Sequence, residues 1–343
     1  ERSLWVSQNP RIREGLVLVL GDGKGVEGEA AKVVRNCAAN SPLAAEAWAK
    51  QPGLFEGFRH CFSASEHIKS CVLGAVYSLS RTEECARIMK EAKVQEYILD
   101  LTLKWKMAVD LTPEERDRFR ATVACAGLAV LNLKAAAKEL GPGGSHTATW
   151  PGLERRVILN IVRVVNAAID GQPFAGVKFN EEAALHAVPV ACSTPSHLSV
   201  LCEQGLVELL IALLKRFRAE DAMASSGSLD SIKSNGIQGG LPSIKAVHLA
   251  VDSLLSMCSN AKEVAEPVIQ RMQDMGAKEV IVTVLDQVGR GSEGSAAKRP
   301  RILHSESQDH ISDSAVKDLG ADELRIATRQ SAEQLLAHLN RKP

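Results

Sequence analysis

"ALHAVPVACSTPSHLSVLCEQGLVELLIALL", residues 184–214, holds three helix patterns in succession. The run from Ala184 to Cys192 is apolar at helical spacing. It closes on Ser193-Thr194-Pro195, where a hydroxyl can accept from a free backbone N–H and proline suits the first helical position. "SHLSVLCEQ" reads as a second, short helix. Gly205 separates it from a third, in which Leu206, Val207, Leu209, Leu210, Ile211, Leu213, Leu214 and Phe217 leave almost no polar side. A helix that is apolar nearly all round must be covered on several sides. The stretch therefore predicts a unit of helix, helix, small residue and longer helix that needs copies of itself stacked on either side.

Such copies recur along the chain. Third-helix patterns appear in "REGLVLVL" (13–20), "QPGLFEGF" (51–58), "EAKVQEYIL" (91–99) and "MGAKEVIVTVL" (275–285). Aligning Gly15, Gly53 and Ala92 gives spacings of 38 and 39 residues, the length of a helical solenoid repeat. First-helix patterns are "EAAKVVRNCAAN" (29–40), "IKSCVLGAVYSLSR" (68–81), "EEAALHAVPVACST" (181–194) and "IKAVHLAVDSLLSMCSN" (244–260). Helix starts follow at Ser41-Pro42, Thr82, Thr194-Pro195 and Asn260, with second helices "LAAEAWAK", "EECARIMKEA" and "KEVAEPVIQRM".

This pattern resembles the armadillo repeat, most clearly in 184–214 and next in 247–285, and the likeness covers most of 12–102 and 181–288. It implies an all-α chain, a right-handed α-solenoid of about six to seven armadillo-like repeats. Repeats are expected over 1–218, degenerate at 103–180 with a loop at 141–152. The Ser/Gly-rich 219–243 reads as a flexible insertion and 244–288 as a further repeat. Residues 289–314 read as a disordered linker, and 315–343 as a C-terminal capping helix. The resemblance further implies a non-enzymatic protein–protein interaction scaffold. Its concave groove, lined by third helices, would grip a partner peptide or helix. The polar candidates there are Arg11, Arg13, Glu56, Arg59, Gln95, Glu96, Glu208, Lys215, Lys278 and Glu279. The family also includes chaperone accessories that act on Hsp70 or myosin, which gives an alternative role.

Composition agrees with packed helices. Aromatics make up 4% of the 343 residues, and Lys+Arg equals Asp+Glu at 41 each. Zero formal charge argues against a nucleic-acid or membrane-surface binder, which normally carries a basic excess. No unbroken apolar run reaches the roughly 18 residues of a membrane span. Cys37, Cys61, Cys71, Cys85, Cys125, Cys192, Cys202 and Cys258 form no C-x-x-C and mostly fall in apolar helical patterns. They read as small buried hydrophobes in a reducing compartment. The expected location is the cytoplasm. "KRPR" (Lys298, Arg299, Arg301) fits a short import signal and would add the nucleus.

Four further motifs compete with the scaffold reading. Gly23, Gly25 and Gly28 spell G-x-G-x-x-G, which would make residues 21–28 the loop of a nucleotide-binding enzyme. That fold needs a strand before the loop and another ending in an acidic residue about 20 positions on. "LVLVL" instead aligns with helices, and "NCAANSPLAAEAWAK" follows with no strand pattern. The reading here is a loop between repeats, with no catalytic residue and no cofactor. His60, Cys61, His67 and Cys71 match no standard zinc spacing, so no metal site is assigned. Ser145-His146 lies between glycines and prolines and reads as loop. Trp105, flanked by Lys104 and Lys106, reads as a helix-end cover with solvated lysines.

Overall fold

The structure is a computed structural model, described over residues 2–104, 112–138, 155–224, 242–260, 262–296 and 313–340. It divides into two compact units, 1–167 with 173–179, and 168–172 with 180–343. This division falls inside the stretch 1–218 that the sequence presents as one run of repeats. Among the described residues the regular elements are all helices. A reciprocal bridge between Phe174 and Val177 is the one strand-like feature among the described residues.

The first unit contains α1 (Arg2–Gln8), α2 (Pro10–Gly21), α3 (Glu27–Asn40), α4 (Pro42–Ala49), α5 (Leu54–Cys61), α6 (Glu66–Ser80), α7 (Glu83–Glu91), α8 (Val94–Lys104), α9 (Pro113–Lys138) and most of α10 (Arg155–Ile169). They pack in three layers: α3 on α6 on α9, α1 on α4 on α7, and α2 on α5 on α8. The first layer is the most closely nested. Val34, Leu73, Leu79, Leu128 and Leu133 are fully buried in it, each such side chain contributing about 1.5–3 kcal/mol. α9 is long and apolar enough to cross a membrane, although polar residues scattered through it break its apolar runs. Of its most apolar window, 83% is buried inside the fold, as befits a core helix.

The second unit contains α11 (Glu181–Leu185), α12 (Val188–Cys192), α13 (Pro195–Glu203), α14 (Leu206–Ala224), α15 (Ile244–Cys258), α16 (Lys262–Asp274), α17 (Ala277–Ala296) and α18 (Asp313–Leu339). The layering repeats: α12 on α15 on α18, α13 on α16, and α14 on α17. α18 also packs against α16 and α17 and buries Ala332, Leu335 and Leu339. Leu206, Val207, Leu210, Ile211, Leu213 and Leu214 are all 1% exposed or less, so the helix whose reading decides the fold is indeed enclosed.

The turns before α5, α14 and α17 use left-handed glycine, Gly53 (φ 80°), Gly205 (φ 79°) and Gly276 (φ 68°), and the turn before α8 is left-handed without a glycine, at Lys93 (φ 55°). The structure departs from the sequence reading at four points. Gly15 is no turn residue but lies inside α2, whose start is set by Asn9, which accepts from Ile12 N–H. Ala92 is a helix cap, and the turn falls one residue later at Lys93. The single first helix expected over 181–194 is two helices. Pro189 has no N–H for Leu185 and sits in the first turn of α12 instead. α17 runs to Ala296, beyond the expected start of the linker.

Candidate functional site

Third-helix starts share more than a turn. Glu56, Glu96, Glu208 and Glu279 each sit three residues after the left-handed residue, in the first helical turn. A carboxylate there offsets the positive end of the helix dipole. These four groove candidates thus have a local helix-starting role, which the sequence shows only once the turn positions are known. They also occupy one register in successive repeats.

The other candidates divide into engaged and open groups. Arg13 donates to Gln51 Oε1 at 2.8 Å and to the Ser7 carbonyl. Arg59 lies over the Tyr97 ring, 4.5 Å from its centroid. Glu208 pairs with Arg271, whose Nη1 also donates to the Cys202 carbonyl. Gln95 is half-buried, with Oε1 lacking a hydrogen bond. Arg11, Lys215 and Lys278 are exposed and carry no side-chain pairing among the described residues. Lys298, Arg299 and Arg301, like Trp105, Ser145 and His146, lie outside the described residues.

The glycine stretch joins two helices, α2 and α3, so residues 16–20 are not a strand. Gly23 (φ 68°) and Gly25 (φ 86°) turn the chain. Glu27 opens α3 and is 2% exposed, and its Oε1 accepts from the Gly25 N–H at 3.2 Å. A carboxylate therefore occupies the helix start where a phosphate would have to bind. The local charge opposes a nucleotide.

Between this loop and the α5–α6 turn lies a cavity of about 340 Å³, lined by Gly23, Gly25, Glu27, His60, Cys61, Ser63, Ala64, Ser65 and Ile68. Cys61 donates to the Leu20 carbonyl at 3.3 Å. Burial, with the Glu27 charge adding to it, pushes its thiol up to about 11. His67 Nε2 and Cys71 Sγ are 3.8 Å apart. Among the described residues no three His, Cys, Asp or Glu side chains are grouped to hold a metal.

No protein-family model matches the chain, and no curated protein matches it. Among solved structures it is similar to a designed armadillo repeat protein, at 13% identity and TM-score 0.42, over 95% of this chain and 99% of that one. It is also similar to an engineered protein at 14% identity and TM-score 0.42, over 94% and 97%. A third is a designed armadillo repeat protein in complex with the peptide (KR)4, at 13% identity and TM-score 0.40, over 97% and 100%. The helix order defines the class on its own terms: helix triplets, most with a left-handed turn before the third, stacked layer on layer, make each unit a stack of armadillo-like helical repeats.

Proposed function

We propose that the chain is a non-enzymatic interaction scaffold that holds a peptide or helix of a partner protein along a face to which its third helices contribute. One observation carries this reading. Glu56 and Glu96 in the first unit, and Glu208 and Glu279 in the second, stand at the same register of successive repeats. The exposed cations Arg11, Lys215 and Lys278 lie on the same set of helices. Groups repeated at a fixed spacing suit an extended ligand, and mixed charge favours specificity over bulk attraction.

The test is affinity capture with the natural chain and two folded variants. The first, Glu56→Lys with Lys215→Glu and Lys278→Glu, leaves the Glu208–Arg271 pair untouched. The second, Val33→Asp, alters an exposed position on α3, in the most closely nested layer. A partner lost only with the first supports the third-helix face. A partner lost only with the second moves it to the α3 side, and a partner kept by both overturns both surfaces.

A further inference from the structure

The cavity beside the glycine loop has a composition that the scaffold reading does not use. Its walls present acceptors. The Glu27 carboxylate spends Oε1 on the Gly25 N–H, while Oε2 is buried and has no hydrogen-bond partner. Ser63 gives its proton to the His60 carbonyl at 2.8 Å, which leaves its oxygen lone pairs for a donor. Ser65 caps α6 by accepting from Ile68 N–H at 3.4 Å, and a hydroxyl oxygen can accept twice. His60 reaches over the loop, with Nε2 3.9 Å from where a side chain on Gly23 would begin. No lysine or arginine lines the space. The neighbouring Lys24 is held by Asp22 at 2.6 Å.

A buried carboxylate oxygen with no partner is costly to the fold, and it is normally matched by a donor or a cation. Glu27 itself lines the cavity, and the terminal torsion of a glutamate is soft, so its carboxylate can adjust to an occupant. Because Oε1 is already engaged, the two-point pairing of a guanidinium is not available. A compact group with three N–H donors suits one carboxylate oxygen and two hydroxyl oxygens. The geometry points to a binding site for a protonated primary amine, with Glu27 Oε2, Ser63 Oγ and Ser65 Oγ as its acceptors. The amine is either a free alkylamine or the side chain of a lysine in a peptide.

The experiment titrates the full chain with butylammonium, butylguanidinium, butyrate and a capped pentapeptide with one central lysine. Amide shifts of Gly23, Gly25 and Glu27 report occupancy, and calorimetry gives affinity. Butylammonium should saturate the site and shift these amides. It should bind at least tenfold tighter than butylguanidinium, and butyrate should not bind. Glu27→Gln, which keeps the acceptor for Gly25 N–H, should weaken binding at least tenfold. Ser63→Ala, at an exposed position, should weaken it severalfold without disturbing the fold. A pentapeptide bound tighter than butylammonium identifies a lysine side chain as the natural occupant, and one bound equally or more weakly identifies a free amine. Equal affinity for amine and guanidinium, no saturable shift at these amides, or a Ser63→Ala variant that binds as the natural chain does would each overturn the assignment. The readouts are confined to the loop, so they do not depend on where a protein partner docks.

Discussion

The side chain of Asn260 donates to the carbonyl oxygen of Cys192 at 3.0 Å. It thereby joins the ends of α15 and α12, equivalent helices of two successive repeats. The same amide donates to the Ser256 carbonyl at 2.8 Å and, more distantly, to the Met257 carbonyl, which also accepts from the Asn260 backbone N–H. In the first unit, Asn132 of α9 donates to Ser80 Oγ at the end of α6, also at 3.0 Å. Stacked layers are thus locked by amides as well as by apolar burial. Asn260→Ala should lower unfolding free energy by about 1–3 kcal/mol, because the Cys192 carbonyl loses a donor. Asn40→Ala is the control, since Asn40 is exposed and, among the described residues, its side chain donates only to Asn36 O of its own helix. Its cost should stay below about 0.5 kcal/mol in the same urea titration. Equal effects would reject the lock.

The close passage of α9 and α10 rests on Gly127. A methyl group there would come 2.4 Å from Val157 Cγ1 and 3.3 Å from Ile161 Cδ1. Neither neighbour is free to swing away, because both are 1% exposed. Gly127→Ala should therefore destabilise the first unit by about 1–3 kcal/mol despite the better helix propensity of alanine. Adding Val157→Ala removes the clashing atom. The double variant should be more stable than the sum of the single effects predicts, as thermal unfolding would show. Strict additivity would mean that the helices separate freely.

The helix triplet was legible because it is written in local chemistry. Ser41-Pro42 starts α4 as read, with Ser41 Oγ accepting from Ala44 N–H at 3.2 Å. Other starts were legible in place but not in mechanism. Thr194 donates its hydroxyl back to the Val190 carbonyl and makes no side-chain cap on α13, and Thr82 makes none on α7. The glycine-loop cavity was hidden for a different reason. Glu27 reads as an ordinary loop charge, and only packing across the repeat buries it. Gly28 lets α3 come against Ile68 and Cys71 of α6, contacts some forty residues away that no local pattern encodes. The groove candidates were found by position on the repeat, yet Glu208, Arg13 and Arg59 turn out to hold neighbouring side chains.

Lys93 is the exception among the left-handed turns before α5, α8, α14 and α17, with a φ of 55° where Gly53, Gly205 and Gly276 stand in the other three. A side chain makes that conformation unfavourable by roughly 1–2 kcal/mol, partly offset by the lower unfolded-state entropy of a non-glycine residue. Lys93 is exposed, so little packing is lost on its removal. Lys93→Gly should stabilise the first unit by about 0.5–1 kcal/mol. Gly205→Lys, the reverse change in the second unit, should destabilise by a similar amount. A loss of stability on Lys93→Gly, measured by urea midpoint, would show that the lysine side chain contributes contacts that outweigh the strain.

All eight cysteines are free thiols, and seven are buried, Cys202 being partly exposed. Burial pushes Cys61, Cys85 and Cys202 up to about 11 and Cys125 and Cys258 up to about 12, from an ordinary value of 9.0. A rise of two pH units leaves about a hundredfold less thiolate at neutral pH, and the thiolate is the nucleophile. The native chain at pH 7.5 should therefore react slowly with a disulfide reagent, Cys202 first, and with all eight thiols once guanidinium unfolds it. The same shifts set an alkaline limit. A raised thiol pKa means that the folded state holds its proton more tightly. That contribution is fully present below about 9 and is lost as pH rises through 11 to 12. Unfolding midpoints should fall across this window, and Cys125→Ala, which removes one buried thiol, should flatten the decline. Fast labelling of all eight thiols in the native chain, or a midpoint unchanged to pH 12, would mean that the core opens far more readily than its packing implies.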